Sequence, residues 1–114
     1  MLARANRFHG YKSLNWAYAH GQSVRDQRIA LKYALNPRRS NFRAAVVISR
    51  KVNKSAVVRN RIRRRIYEML RAESPNISGG YDLIFSVYSD DLANMSPADL
   101  KKLVKQLLER AKIS

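Results

Sequence analysis

The order of elements along the chain predicts a small α+β domain, with helices laid against a short sheet. Three observations point there: two runs of helical apolar spacing, three β-rich runs between or before them, and no repeat or linker dividing them. At 114 residues with 46% apolar side chains, the chain is the size of one domain, residues 1–114, that closes its own core.

Ser13 can cap a short helix running to about Ala19, with Leu14 and Tyr18 four apart on one face, Trp16 to the side and Gly21 ending it. From Arg28 to Leu35 the chain alternates, Ile29, Leu31, Tyr33 and Leu35 against Arg28, Ala30, Lys32 and Ala34. That pattern predicts a strand whose first set is buried. Residues 36–41, rich in Asn, Pro and Ser, read as a turn. Phe42–Ser49 is a continuous apolar run suited to a central strand, and with the preceding strand it suggests a hairpin.

Residues 55–72 hold neither Gly nor Pro, and Val58, Ile62, Ile66, Met69 and Leu70 recur at helical spacing. Residues 73–80 read as a loop, and Tyr81–Tyr88 as a third strand. Asp82 falls on the face opposite Tyr81, Leu83 and Phe85, where a solvent position near the loop is expected. Ser96-Pro97-Ala98-Asp99 announces a last helix, with Ser as cap and Pro at its first position. Leu100, Leu103, Val104, Leu107, Leu108 and Ala111 give that helix its apolar stripe.

Charge points to the partner. The 23 Lys and Arg against 8 Asp and Glu give a formal net charge of +15. The excess is lopsided: residues 1–71 carry 18 basic and 2 acidic side chains, residues 72–114 carry 5 and 6. A basic face on a folded domain, meeting a polyphosphate, is the expectation. Absent cysteine excludes disulfides, thiolate metal sites and a cysteine nucleophile. No apolar run approaches a membrane span, and the N-terminus lacks the apolar stretch of a signal peptide, so a cytoplasmic protein is expected.

The basic face centres on Ser55–Ile66. On a wheel of roughly 100° per residue, Val58, Ile62, Ile66, Met69 and Leu70 share one side. Asn60, Arg61, Arg63, Arg64 and Arg65 occupy the other, and Arg59 sits beside the apolar edge. Like charges at i and i+4 weaken an isolated helix, a repulsion that a polyanion would neutralise. Arginine's planar fork suits phosphates, and Arg50, Lys51 and Lys54 upstream would enlarge the patch. A merely solvated face would mix its signs, and this one carries only Glu68 against its arginines.

Nothing in the sequence builds a protein active site. His9 and His20 are solitary, Asp90-Asp91 read as a solvated or capping pair, and Ser78-Gly79-Gly80 is only a flexible link. Neither a metal nor a small-molecule substrate is expected.

The segment 46–71, VVISRKVNKSAVVRNRIRRRIYEMLR, resembles the signature of the bacterial ribonuclease P protein family: a basic segment after a strand, then an Arg-Asn-Arg-x-Lys/Arg-Arg helix. Here that motif is Arg59-Asn60-Arg61-Ile62-Arg63-Arg64, preceded by Ser49-Arg50-Lys51 and Lys54. Asn6-Arg7-Phe8 and Tyr81–Phe85 resemble the family's opening and last strand, so the likeness covers about residues 4–110.

The resemblance implies an αβββαβα-like, ribosomal-protein-type sandwich with a left-handed βαβ crossover, against the usual rule. It also implies a fourth strand, expected near Val24. It implies that the basic helix and its flank (Arg50, Lys51, Lys54, Arg59, Asn60, Arg61, Arg63, Arg64, Arg65) engage a catalytic RNA subunit. A cleft lined by Leu14, Tyr18 and Lys32 would take the single-stranded 5′ leader of precursor tRNA. Many members carry aromatics where this chain has Leu14 and Lys32, so phosphate contact would carry more of the grip than stacking. Hydrolysis would belong to the RNA with its Mg²⁺, with no cofactor on the protein. The alternative is a small basic ribosomal or general RNA-binding protein without a processing role. A DNA-binding helix is a weaker third, since no helix-turn-helix spacing precedes residue 55.

Overall fold

The computed structural model describes residues 21–36, 40–77 and 79–113, and among these described residues it has four strands and two α-helices. The expected first helix, with Leu14, Trp16 and Tyr18, lies outside the described residues, as do His9 and His20. Strands β1 (Gln22–Arg25), β2 (Ile29–Leu35), β3 (Arg43–Ile48) and β4 (Tyr81–Val87) form one mixed sheet in the order β1-β2-β4-β3. Helix α1 (Ala56–Glu73) carries the chain from β3 to the parallel β4, and α2 (Pro97–Arg110) follows.

The fourth strand is where it was expected, around Val24, and it forms the hairpin with β2. The hairpin expected between β2 and β3 does not form. β4 inserts between them, antiparallel to β2 and parallel to β3, so β4 is the central strand and β3 an edge. The apolar run Phe42–Ser49 misled because an edge strand whose core face is covered by a helix is as apolar as an inner one. At the start of the expected loop, Glu73 closes α1 and Ser74–Asn76 form a 3-10 turn.

Ala44, Val46 and Ile48 of β3, Ile29 and Leu31 of β2, and Leu83, Phe85 and Val87 of β4 form the core face. Ile62, Ile66 and Leu70 of α1 and Leu100, Leu103, Val104, Leu107 and Leu108 of α2 pack on it. Each Val, Leu, Ile or Phe among them contributes about 1.5–3 kcal/mol on burial. Both helix starts are capped as their sequences imply: Ser55 Oγ accepts from Val58 N at 3.3 Å, and Ser96 Oγ from Asp99 N at 3.1 Å.

On β2 the alternation fails at one end. Leu35 is 58% exposed while Ala34 is buried, because the strand runs out of the core face beyond Tyr33.

The largest departure is Asp82. Instead of meeting solvent, it is fully buried on the sheet face opposite the core helices, beside its strand partner Arg43. Arg43 grips it with both arms of its fork, Nε to Oδ1 at 2.9 Å and Nη2 to Oδ2 at 2.8 Å. The Asn36 amide adds a bond to Oδ2 at 3.3 Å.

Candidate nucleic-acid interface

Helix α1 presents its apolar row to the sheet and its arginines outward, as the wheel predicts, yet the arginines are not alike. Arg61 and Arg64 are exposed and have no hydrogen-bond or ion-pair partner among the described residues. The other three of the row, Arg59, Arg63 and Arg65, are half-buried and tied to the protein itself.

Arg59 Nη1 donates to the carbonyls of Asn53 and Lys54, each at 2.9 Å, folding the 49–55 loop back on the start of α1. Asn53 Oδ1 accepts from Ser55 N at 2.8 Å and Val52 N donates to Ser49 O, completing that turn. Arg63 donates to Val46 O on β3 at 3.4 Å and to Asn60 Oδ1 at 2.7 Å, which leaves the Asn60 amide NH₂ facing outward. Arg65 donates to Leu92 O at 2.6 Å and to Met95 O, linking α1 to the turn before α2. Burial, and then the nearby Arg61 charge, pull the Arg65 pKa below its ordinary value; a guanidinium stays protonated regardless.

The structure therefore divides the nine residues singled out for RNA contact. Arg50, Lys51, Lys54, Asn60, Arg61 and Arg64 are exposed, whereas Arg59, Arg63 and Arg65 spend donors on main-chain oxygens. The sequence carried a hint for Arg59 alone, through its place at the apolar edge. Arg63 and Arg65 meet carbonyls 17 and 27 residues away, which no helical wheel can show.

Two open grooves flank the first turns of α1. One, of about 570 Å³, is lined by Arg50, Lys51, Lys54, Ala56 and Arg59, so four cations surround the helix N-terminus. Helix dipole and cations together favour an anion there. The other, of about 460 Å³, lies between α1 and the turn before α2, and includes Arg61, Asn53, Asp90 and Met95. Asn53 Nδ2 donates to Asp90 Oδ2 at 3.1 Å, and Asp90 and Asp91 lie in a 3-10 turn capped by Ser89. Among the described residues, no three His, Cys, Asp or Glu side chains gather as a metal site. No helix among them is long and apolar enough to cross a membrane.

Lys32 sits half-buried in the middle of β2, on the sheet face away from α1 and α2, opposite Ile84. Its neighbours on that face are small: Ser23, Ala30, Ala34 and Ser86. Leu14 and Tyr18, its expected companions, lie outside the described residues.

The sequence that builds this basic α1, its cationic groove and this sheet matches the family model described as Ribonuclease P over residues 2–112. The chain belongs to the ribonuclease P protein family. A ribonuclease P protein component from Synechococcus sp. is 33% identical over 114 residues, covering 97% of this chain and 85% of that one. That of Rippkaea orientalis is 32% identical over 98% of this chain and 91% of its own. A Roseiflexus castenholzii component reaches 40% identity over 73% of this chain and 66% of its length. The fold agrees with solved structures of ribonuclease P proteins. The Staphylococcus aureus protein superposes with a TM-score of 0.84 at 24% identity, over 96% of this chain and 98% of that one. The Thermotoga maritima protein gives 0.79 at 19%, over 91% and 96%. Membership assigns the chain to RNA binding and tRNA processing as a ribonuclease P protein component, and leaves the general RNA-binding alternative without support.

Proposed function

We propose that this chain is the protein partner of a catalytic ribonuclease P RNA, and that it works by holding two RNAs rather than by cutting either. The observation that carries this reading is the family match across residues 2–112, joined to an α1 whose outward cations stand ready for phosphates. Arg61, Arg64, the Asn60 amide and the groove of Arg50, Lys51 and Lys54 dock on the RNA subunit. Arg59, Arg63 and Arg65 hold that surface in shape, so little ordering cost remains at binding.

Lys32, with Leu14 and Tyr18, holds the 5′ leader of precursor tRNA, which favours precursor over mature tRNA. Hydrolysis belongs to the RNA subunit and its Mg²⁺, and a domain of net charge +15 lowers the Mg²⁺ that two approaching polyanions require. The compartment of this work is the cytoplasm.

The test is cleavage of 5′-labelled precursor tRNA by a bacterial ribonuclease P RNA at low Mg²⁺. Wild-type protein should restore correct cleavage, while an Arg61→Ala, Arg64→Ala variant and a lysine polymer of equal charge should not. Rescue by the polymer would reduce the protein to a generic polycation. A second arm reads the leader: Lys32→Ala should weaken precursor binding and spare mature tRNA.

A further inference from the structure

The groove between α1 and the turn before α2 is lined by more than cations, and phosphate docking explains only part of it. Its apolar side chains are Val58 of α1 and Ala93 and Met95 of the turn, all packed on or in the core. Its exposed lining is polar and of both signs, with Arg61 from α1 and Asp91 and Asn94 from the turn. At about 460 Å³ it falls within the range, roughly 300–1,000 Å³, of clefts that take small ligands.

The walls are fixed by bonds that leave those three side chains free. Arg65, one turn beyond Arg61, donates to Leu92 O and Met95 O, and Asn53 Nδ2 donates to Asp90 Oδ2 at 3.1 Å. Asn94 N and Met95 N both donate to Asp91 O, at 3.1 and 3.0 Å, so the turn is closed through its own backbone. Asp90 is thus engaged. The Asp91 carboxylate, the Asn94 amide and the Arg61 guanidinium have no hydrogen-bond or ion-pair partner among the described residues.

The carboxylate is the informative group. It lines the same groove as an arginine that stands ready for phosphates, and it repels them. An ionised carboxylate only accepts hydrogen bonds, so its match is a pair of adjacent N–H donors. Of the four RNA bases, guanine alone sets two neighbouring donors, N1–H and the N2 amino group, on its Watson–Crick edge. Adenine and cytosine place a donor beside an acceptor there, and uracil holds one donor between two acceptors. Proteins read that edge in RNA where bases are unpaired and splayed out.

We propose that this groove takes an unpaired guanine of the catalytic RNA subunit. Asp91 accepts from N1–H and the N2 amino group, Asn94 donates to O6, and Arg61 meets the nucleotide's phosphate. The ring lies against Val58 and Met95. The inference rests on the docking of α1 to that RNA, and adds a base-specific contact to a surface otherwise made of charge.

The first arm of the experiment reads the sign of a substitution. Removing a negative charge from an RNA-binding face ordinarily tightens binding. Asp91→Ala should instead weaken binding of the RNA subunit about tenfold, the loss of a bidentate base contact. Its log–log salt slope should stay at the wild-type value, because no phosphate contact is lost. Asp91→Asn keeps the shape but turns one acceptor into a donor, and should weaken binding similarly. Tighter or unchanged binding in both variants would overturn the proposal.

The second arm finds the base. The RNA subunit is made with inosine, which lacks the N2 amino group, sparsely replacing guanosine, and bound molecules are separated from unbound. Wild-type protein should exclude inosine at one unpaired position, and Asp91→Ala should accept it there. Uniform tolerance with wild-type protein would overturn the guanine assignment. If no RNA position responds but guanosine 5′-monophosphate binds the free protein and Asp91→Ala abolishes that binding, a free nucleotide fills the groove and the RNA source is overturned. The Arg61→Ala, Arg64→Ala variant separates this inference from the docking of α1. If its salt slope falls while Asp91→Ala changes nothing, only the groove has failed; if neither changes, α1 is not the docking surface.

Discussion

Helices α1 and α2 both lay an apolar stripe on the same sheet face and both show cations to solvent, yet they use those cations differently. On α2, Lys101, Lys102 and Lys105 are exposed and have no partner among the described residues. On α1, Arg59, Arg63 and Arg65 are half-buried and end on main-chain oxygens, Arg71 lies 3.5 Å from Glu68, and Arg61 and Arg64 stand out between them. Chemistry explains the contrast. A lysine is a hydrated point charge on a flexible stem, whereas an arginine fork can bridge two carbonyls and stay charged. The α2 row therefore contributes field, while the α1 row contributes field and a fixed shape.

If tied arginines hold shape, the cost of releasing one should follow its burial. Arg43 is the most deeply placed, so Asp82→Ala should cost about 3–5 kcal/mol, leaving a buried guanidinium without its carboxylate. Urea unfolding measures it, and a loss under about 1 kcal/mol would mean that Arg43 finds another partner as good. Arg65→Ala comes next. Its removal deprives Leu92 O and Met95 O of a charged donor, worth about 2 kcal/mol at a half-buried site. Arg65→Lys should recover less than half of that loss, because one ammonium cannot serve both carbonyls in the fork's geometry. Full recovery would show that charge, rather than the fork, links α1 to the turn before α2.

What the sequence revealed follows the same division. Helix α1, helix α2 and the Ser96 cap are local patterns, and each lies within two residues of its expected limits. Strands β2, β3 and β4 were legible as strands and β1 only through the family likeness, but their neighbours were not, since nothing local in Phe42–Ser49 says that β4 will come between it and β2. Asp82 is the sharpest case. A lone carboxylate in an apolar strand reads as solvent-facing until the parallel β3–β4 register sets Arg43 beside it, 39 residues away in sequence. The arginine motif was visible as charge and as a family likeness, whereas its division into tied and free side chains depends on carbonyls from β3 and the turn after β4.

The smallest effect on stability gives the finest test of the comparison. Arg61→Ala with Arg64→Ala should change the unfolding free energy by less than about 0.5 kcal/mol, and so should Lys101→Ala with Lys102→Ala. Each pair removes the same charge from an exposed helix face. Binding to the RNA subunit should separate them. If α1 is the docking surface, its variant leaves two phosphates without a cation and the log–log salt slope falls by roughly 1.4–1.8. The α2 variant, lying outside the docked surface, shifts affinity slightly through long-range attraction and leaves the slope nearly unchanged. Equal slopes for the two variants would break the distinction: the RNA would then be reading total charge, and the carbonyl ties of Arg59, Arg63 and Arg65 would serve the fold alone.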